Sequence, residues 1–383
     1  MTGGHTVSDV YASLGVKTLI NAHGTVTKYG GSTMPPQVIA AMQSASQAYV
    51  ELEDLQLKAG ARLASLAGVP AAHITTGAAA GIVLSVAACI AGTNPEWVRR
   101  IPNTEGMKNE IILLHSHICP YEQQVRQGGG RVVTVGSDHF TDIHDVEKAV
   151  NERTAAILYF AESRNTQGSL PLRDIITLAK LRGLPVLVDA AAELPPPKHL
   201  ASYINLGADL VQFSGGKDIR GPQSSGFILG SASLIEGCRL NSSPHSSIGR
   251  PFKVDKETII GLLTAVELYL EQDFTAEMQQ WQRQADYVTN HLQVLDGVTA
   301  RTDYGQEPGI QPACIPRTYV TWDTARYRLT KNQLIGQLKS GEPGVIVSDF
   351  PDEGIAINPH MLEAGEEELV AKRIQAVLAK HRL

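Results

Sequence analysis

Four stretches of the chain carry residue types able to act on anionic and carbonyl groups. The first is Thr75-Thr76-Gly77-Ala78-Ala79-Ala80-Gly81, small residues that lead into an apolar run at 82–91. Small side chains let backbone N–H groups approach an anion, and a helix start adds about half a positive charge. The stretch suits a phosphate; tight helix–sheet packing would use the same residues. The second is Val186-Leu187-Val188-Asp189, an apolar run ending in an acid. The carboxyl ends of parallel strands open onto ligand crevices, and an acid placed there needs a cation or a hydrogen-bonding partner. A cap on the following helix would also explain it.

The third is Phe213-Ser214-Gly215-Gly216-Lys217-Asp218, a lysine in a glycine-rich turn directly after an apolar run. Most lysines are simply solvated, and Lys217 alone would mean little. The fourth is His115-Ser116-His117, at the end of another such run. In an extended strand His115 and His117 would share a face and could ligate a metal, but no third ligand has suitable spacing. Otherwise one imidazole, His117 by its position farther past the strand, would stack on a flat ring. In this order, a phosphate-binding helix start, a strand-end acid and a post-strand lysine match the needs of pyridoxal phosphate. Its phosphate takes a helix N-terminus, its ring nitrogen an acid, and its aldehyde a lysine for a Schiff base.

These groups must be positioned by a scaffold, and the hydrophobic pattern supplies one. Short apolar runs at 72–75, 111–115, 131–135, 155–160, 185–189, 209–213 and 226–229 alternate with longer helical patterns such as 172–182. Continuous Val, Ile and Leu runs are strands buried on both faces, as in a mostly parallel sheet flanked by helices. The fold class expected is α/β. Residues 258–270 and 276–295 read as helices leading away. Strands at 318–322 and 345–347 and a helix at 366–381 then form a smaller α+β domain. The domain bounds expected are 1–50 for an N-terminal segment on the small domain and subunit interface, 51–255 for the large domain, and 256–383 for the remainder.

With 383 residues, the chain exceeds one ordinary hydrophobic core. Its 33 basic and 39 acidic residues leave a net charge of −6, a balance unlike that of a nucleic-acid binder. No apolar run approaches the roughly 20 residues that span a bilayer. Cys89, Cys119, Cys238 and Cys314 lie far apart, which suits neither a disulfide framework nor a zinc ribbon. The start of the chain lacks a charged region followed by an apolar one, so no secretory signal is expected. A cytoplasmic enzyme acting on a small molecule, without nucleic acid or membrane as partner, is the expectation.

Two longer segments carry a resemblance. Val188-Asp189-Ala190-Ala191-Ala192-Glu193-Leu194-Pro195-Pro196 and Ser214-Gly215-Gly216-Lys217-Asp218-Ile219-Arg220-Gly221-Pro222-Gln223-Ser224-Ser225-Gly226 resemble the selenocysteine synthase-like branch of fold-type I pyridoxal-phosphate enzymes. Leu19-Ile20-Asn21-Ala22-His23-Gly24-Thr25 and Gly249-Arg250-Pro251-Phe252-Lys253-Val254 resemble it too. The matching segments run from about 14 to 270 and, within the branch, look most similar to the D-glucosaminate-6-phosphate ammonia-lyase group. The resemblance implies Lys217 as the Schiff-base lysine and Asp189 as the partner of the pyridine nitrogen. It implies Thr76, Gly77, Ala78 and Ser214 as phosphate contacts and His117 over the ring. Gln223 and Arg250 fall in matching motifs as further cofactor-binding residues. The resemblance also implies a homodimer with each site built from two chains, Arg250 reaching the neighbour's. Where related sequences often have Ala and Arg, this one has His23 and Lys28, a departure that bears on the substrate.

The reaction expected is ammonia elimination from a β-hydroxy α-amino acid or a phosphorylated amino-sugar acid, giving a 2-keto acid. A racemase needs only a second acid, for which His23 or His115 would serve; selenium or sulfur transfer, an aldolase and an aminotransferase use the same cofactor. Selenium transfer to seryl-tRNA fits poorly with a net charge of −6. A non-catalytic binding protein of this fold would have no physical reason to keep Asp189 and Lys217, and no G-x-G-x-x-G supports a nicotinamide cofactor. For a phosphorylated substrate, Lys28, Arg164, Arg220 and Arg250 are the candidate cations, unranked by sequence.

Overall fold

The computed structural model describes residues 7–161, 168–304, 314–349 and 353–383. Its strands, in chain order, are β1 Leu19–Ala22, β2 Ala71–Thr75, β3 Glu110–Leu114, β4 Arg131–Val135, β5 Thr154–Phe160 and β6 Val186–Asp189. They continue with β7 Leu210–Ser214, β8 Gly226–Gly230, β9 Val298–Tyr304, β10 Pro316–Trp322, β11 Gly344–Val347 and β12 Ile355–Ile357. Contacts divide the described residues into two compact units, one within 32–272 and the other of 7–31, 273–304, 314–349 and 353–383. The division does not fall near 50 and 255 because the Pro36–Ala45 and Lys256–Glu271 helices pack on each other and the latter on Leu52–Ala67. A β-carbon on Gly261 would come within 2.7 Å of Met42, so that packing is close.

The larger unit is built on a seven-stranded sheet of order β2-β8-β7-β6-β5-β3-β4. Every strand runs parallel except β8, which is antiparallel to both β2 and β7. Apart from the edge strand β4, which is largely exposed, the apolar runs are buried on both sides, and successive residues alternate between two cores. Ile112, Leu114, Ile157, Tyr159, Val186, Val188, Val211 and Phe213 pack on one face, and Ile111, Leu113, Ala156, Leu158, Phe160, Leu187, Leu210 and Ile228 on the other. The Ala78–Ala91 helix lies on the second face, buried nearly all round, which is why its sequence is apolar on every side. Gly81 lets it approach β7: a β-carbon there would stand 3.0 Å from Gln212 Cγ.

In the smaller unit, β12-β10-β9 form an antiparallel sheet, and β1 pairs in parallel with β11. The Phe274–Leu292, Lys331–Ser340 and Glu366–Lys380 helices cover a core that includes Val288, Leu292, Val320, Leu334, Val345, Ile355 and Ile374. No described helix is long and apolar enough to cross a membrane.

Candidate active site

The carboxyl ends of the parallel strands share one edge of the large sheet, and the ladder fixes what stands there. Thr75, Gly226 and Ser214 are opposite one another across β2, β8 and β7. Gln212, Asp189 and Phe160 form the adjoining row across β7, β6 and β5. Each sequence-derived residue of the phosphate, acid and lysine stretches leaves this edge.

The chain leaves β2 through Thr76 and Gly77. Gly77 has φ +120° and ψ 164°, a backbone open essentially to glycine, and it caps the Ala78–Ala91 helix by accepting from the Gly81 N–H at 3.1 Å. The helix therefore begins at Ala78, four residues before the apolar run suggested, because alanine costs nothing at its first turn. The first-turn N–H groups have no intrahelical acceptor and point out of the helix start. Gly226 backs them: a β-carbon there would come within 2.5 Å of Gly77 C and 2.8 Å of Ala78 N.

Asp189 ends β6 half-buried, and its Oδ1 accepts from the Ala191 N–H at 2.9 Å. Lys217, also half-buried, sits in a turn tied at several points. Gly215 N–H donates to Ser225 O at 2.9 Å, Gly221 N–H to Gly215 O at 2.8 Å, and the Ser32 hydroxyl to Gly216 O at 3.1 Å. A β-carbon on Gly216 would come within 2.4 Å of Gln223 Cα. Gln223 thus packs its backbone against the turn while its side chain is exposed.

His115 and His117 do not continue β3 as an extended strand; they form a 3-10 turn, His115–His117, so they do not share a strand face. His115 is partly exposed with Nδ1 2.9 Å from Asp138, whereas His117 is buried. The Phe160 N–H donates to His117 Nδ1 at 3.3 Å, which leaves Nε2 to carry the hydrogen toward Ser169 Oγ at 2.8 Å. The Tyr159 ring meets it edge-on at 4.5 Å. With both ring nitrogens engaged, the His117 ring is held in one orientation. Phe160 is also the residue opposite Asp189, so one strand end positions both. Arg250 is exposed in the Arg250–Phe252 3-10 turn, which is pinned by Gly249 N–H donating to Asn241 O at 2.8 Å. No group of three or more His, Cys, Asp or Glu among the described residues could hold a metal ion.

In the smaller unit, Asn21 Oδ1 accepts from the N–H groups of His23 and Gly24, each at 3.1 Å, and shapes the turn after β1. Burial lowers the His23 pKa, and its Nδ1 has no partner among the described residues. Lys28 is exposed, 5.6 Å from the Tyr29 ring. Arg164 lies outside the described residues. Two features escaped the sequence reading. Gly226 supports the helix start only because antiparallel β8 lies beside β2, which no local pattern reveals. Arg317, a buried cation on β10 whose pKa is lowered by desolvation, had only an apolar neighbourhood as its signal.

Chemically, this edge can bind an anion at the helix start, stabilise a positive ring nitrogen through Asp189 and condense an amine with a carbonyl at Lys217. The chain is 35% identical to 5'-C-glycyluridine monooxygenase-decarboxylase from Streptomyces sp, over 99% of this chain and 94% of that protein. It is 32% identical to D-glucosaminate-6-phosphate ammonia lyase from Salmonella typhimurium, over 97% and 98%. A solved D-glucosaminate-6-phosphate ammonia-lyase superposes with a TM-score of 0.85 at 31% identity, covering 98% of this chain and 100% of that one. The fold alone is shared with a serine palmitoyltransferase from S. paucimobilis solved with PLP and myriocin, at TM-score 0.59 and 15% identity over 94% and 88%. The fold is thus that of the fold-type I pyridoxal-phosphate enzymes. The model of the SelA family, L-seryl-tRNA selenium transferase, matches residues 19–283, well over half of the sequence, and the chain belongs to that family.

Proposed function

We propose that the chain is a pyridoxal-phosphate-dependent ammonia lyase acting on a β-hydroxy α-amino acid, of the phosphorylated amino-sugar-acid class. One observation carries the reading: a glycine-capped helix start, Asp189 and the Lys217 turn leave one edge of one sheet. Those donors fit the cofactor. Gly77 and Gly226 keep side chains away from the place where a phosphate would meet the first-turn N–H groups. Thr76, Gly77, Ala78 and Ser214 would hold the phosphate, Asp189 the protonated ring nitrogen, the His117 ring face the pyridine, and Lys217 the aldehyde carbon. Gln223 would keep the Lys217 turn in shape.

Pyridoxal phosphate, when bound, supplies an electron-withdrawing ring that stabilises negative charge at the substrate's α-carbon. Lys217 Nζ takes the α-proton as general base. The same proton, returned from Nζ, leaves with the β-hydroxyl as water. The enamine released tautomerises and hydrolyses to a 2-keto acid and ammonia. Throughout, Asp189 keeps its negative charge opposite the ring nitrogen, held in place by the Ala191 N–H.

The likeness to 5'-C-glycyluridine monooxygenase-decarboxylase at 35% identity supports a second reading, oxidative decarboxylation of a glycyl-bearing nucleoside. Ammonia and keto acid formed without oxygen favour the lyase; oxygen consumption with carbon dioxide release favours the second. The reading includes a cytoplasmic homodimer, supported by the exposed Ile39, Tyr49, Val50 and Leu57 on one stretch of the larger unit, with Arg250 reaching the neighbour's site. The first test is visible absorbance with borohydride reduction. Wild-type protein given pyridoxal phosphate should hold a visible band that borohydride fixes to the peptide carrying Lys217, and Lys217→Ala should fix none. A wild-type protein that gains no band, or full activity in Lys217→Ala, overturns the proposal.

A further inference from the structure

Among the described residues, Arg220 alone of the non-glycines has a positive φ, +56°. It stands three residues after Lys217, in the same turn, and its N–H donates to the Lys217 carbonyl at 3.0 Å. A β-carbon in the left-handed region crowds the backbone, so glycine would occupy this position at lower cost. The turn itself dictates the conformation, because Gly221 N–H is tied to Gly215 O and Gly216 is pressed against Gln223. What the turn does not require is an arginine. Strained residues of this kind gather where a ligand is bound.

The side chain points to the reason. Arg220 is half-buried, yet among the described residues no acid pairs with it, Asp218 two residues away included, and no acceptor takes a hydrogen from its guanidinium. A partly desolvated guanidinium has five donors and no acceptor of its own, and its planar fork fits a carboxylate or a phosphoryl group. Lys28 and Arg250, the other described cations considered for an acidic substrate, are exposed. Phosphate of a cofactor would already have the helix start at Ala78 and Ser214.

We infer that Arg220 binds an oxyanion of the substrate, a carboxylate or a phosphoryl group, and so selects acidic substrates. The inference rests on the site proposed above, since it needs a substrate beside Lys217. Arg220→Gly and Arg220→Ala test it in the holoenzyme, with inorganic phosphate and succinate as probes. Thermal unfolding is followed in chloride and in each probe at equal ionic strength, and pyridoxal phosphate affinity by absorbance titration. At about tenfold over its Kd, a bound anion should raise the wild-type Tm by roughly 2–4 °C, and neither variant should respond. In chloride, Arg220→Gly should unfold no lower than wild type, and Arg220→Ala below Arg220→Gly, because only glycine relieves the backbone. Pyridoxal phosphate affinity should stay within about twofold, while a charge-assisted bond lost to the anion is worth roughly tenfold or more. A response to phosphate alone identifies a phosphoryl group, and a response to succinate alone a carboxylate. Full responses in both variants, or no response in wild type, overturn the inference. A tenfold loss of pyridoxal phosphate affinity with the anion response intact assigns Arg220 to the cofactor instead. A wild type that never gains a visible band sinks the proposed function separately, because the anion shift needs no turnover.

Discussion

Gly226→Ala tests whether the helix start at Ala78 is a built anion cradle. The added methyl would stand 2.5 Å from Gly77 C, 2.6 Å from Gly77 Cα and 2.8 Å from Ala78 N. Ordinary carbon contacts begin near 3.5 Å, so something must move by about 1 Å. None of the three atoms belongs to a flexible side chain. All are backbone, and Gly77 is already committed to φ +120°. The movement must therefore displace the helix start itself or part β8 from β2. Overpacking of this size costs about 1–3 kcal/mol, a fall in Tm of several degrees for a unit this large. If one charge-assisted bond to phosphate is lost as the N–H groups shift, pyridoxal phosphate affinity drops roughly 10- to 100-fold. Absorbance titration of the apoprotein reads the affinity, and differential scanning calorimetry the stability. Gly336→Ala serves as control: its methyl would meet open space inside a helix, so it should stabilise by about 0.5–1 kcal/mol and leave the cofactor untouched. Wild-type affinity and Tm in Gly226→Ala would refute the cradle.

Two further predictions concern the scaffold. His73 on β2 is buried, its Nε2 2.9 Å from Ser242 Oγ, and burial, assisted by the nearby Arg239 charge, lowers its pKa from 6.5 to about 4. The unfolded chain thus binds this proton more readily. Stability should be full above about pH 6.5 and fall as pH drops toward 4, by up to ~3 kcal/mol. His73→Gln should flatten urea-unfolding stability over that window, and parallel curves for the two proteins would count against it. Glu110, buried at the start of β3, would have its pKa raised by burial alone, but hydrogen bonds from Asn151 and Arg131 lower it overall. Glu110→Ala strips acceptors from Asn151 Nδ2 at 2.8 Å, Arg153 Nε at 2.8 Å and Arg131. It should cost about 1–3 kcal/mol, with the wild-type advantage fading as pH falls below the usual carboxylate range; equal Tm values at pH 7 would disprove it.

Much of the larger unit was legible because a parallel sheet buried on both faces writes itself as continuous apolar runs. The run 131–135 coincides with β4, and the remaining large-sheet runs lie within a residue of their strands. The smaller unit was less readable. β9 alternates buried and exposed residues amid polar sequence, and β1 and β12 are only four and three residues long, too short for a period to show. Asp189 stood out because it closes an apolar run, and Lys217 because it sits in the glycine-rich turn that follows one. The His115–His117 turn was misjudged as extended because nothing local distinguishes a strand's last residue from the first of a tight turn.

What the sequence determined by itself was the order of chemical parts: donors, acid and amine, each placed after a strand, and hence their common edge once the strands run parallel. Tertiary structure alone decided which backbone backs which part. Gly226 reaches Gly77 only because β8 runs antiparallel beside β2. The division has a physical cause. Burial and strand period act through neighbouring residues and are written in the local sequence, whereas close backbone approach depends on segments about 150 residues apart meeting in space.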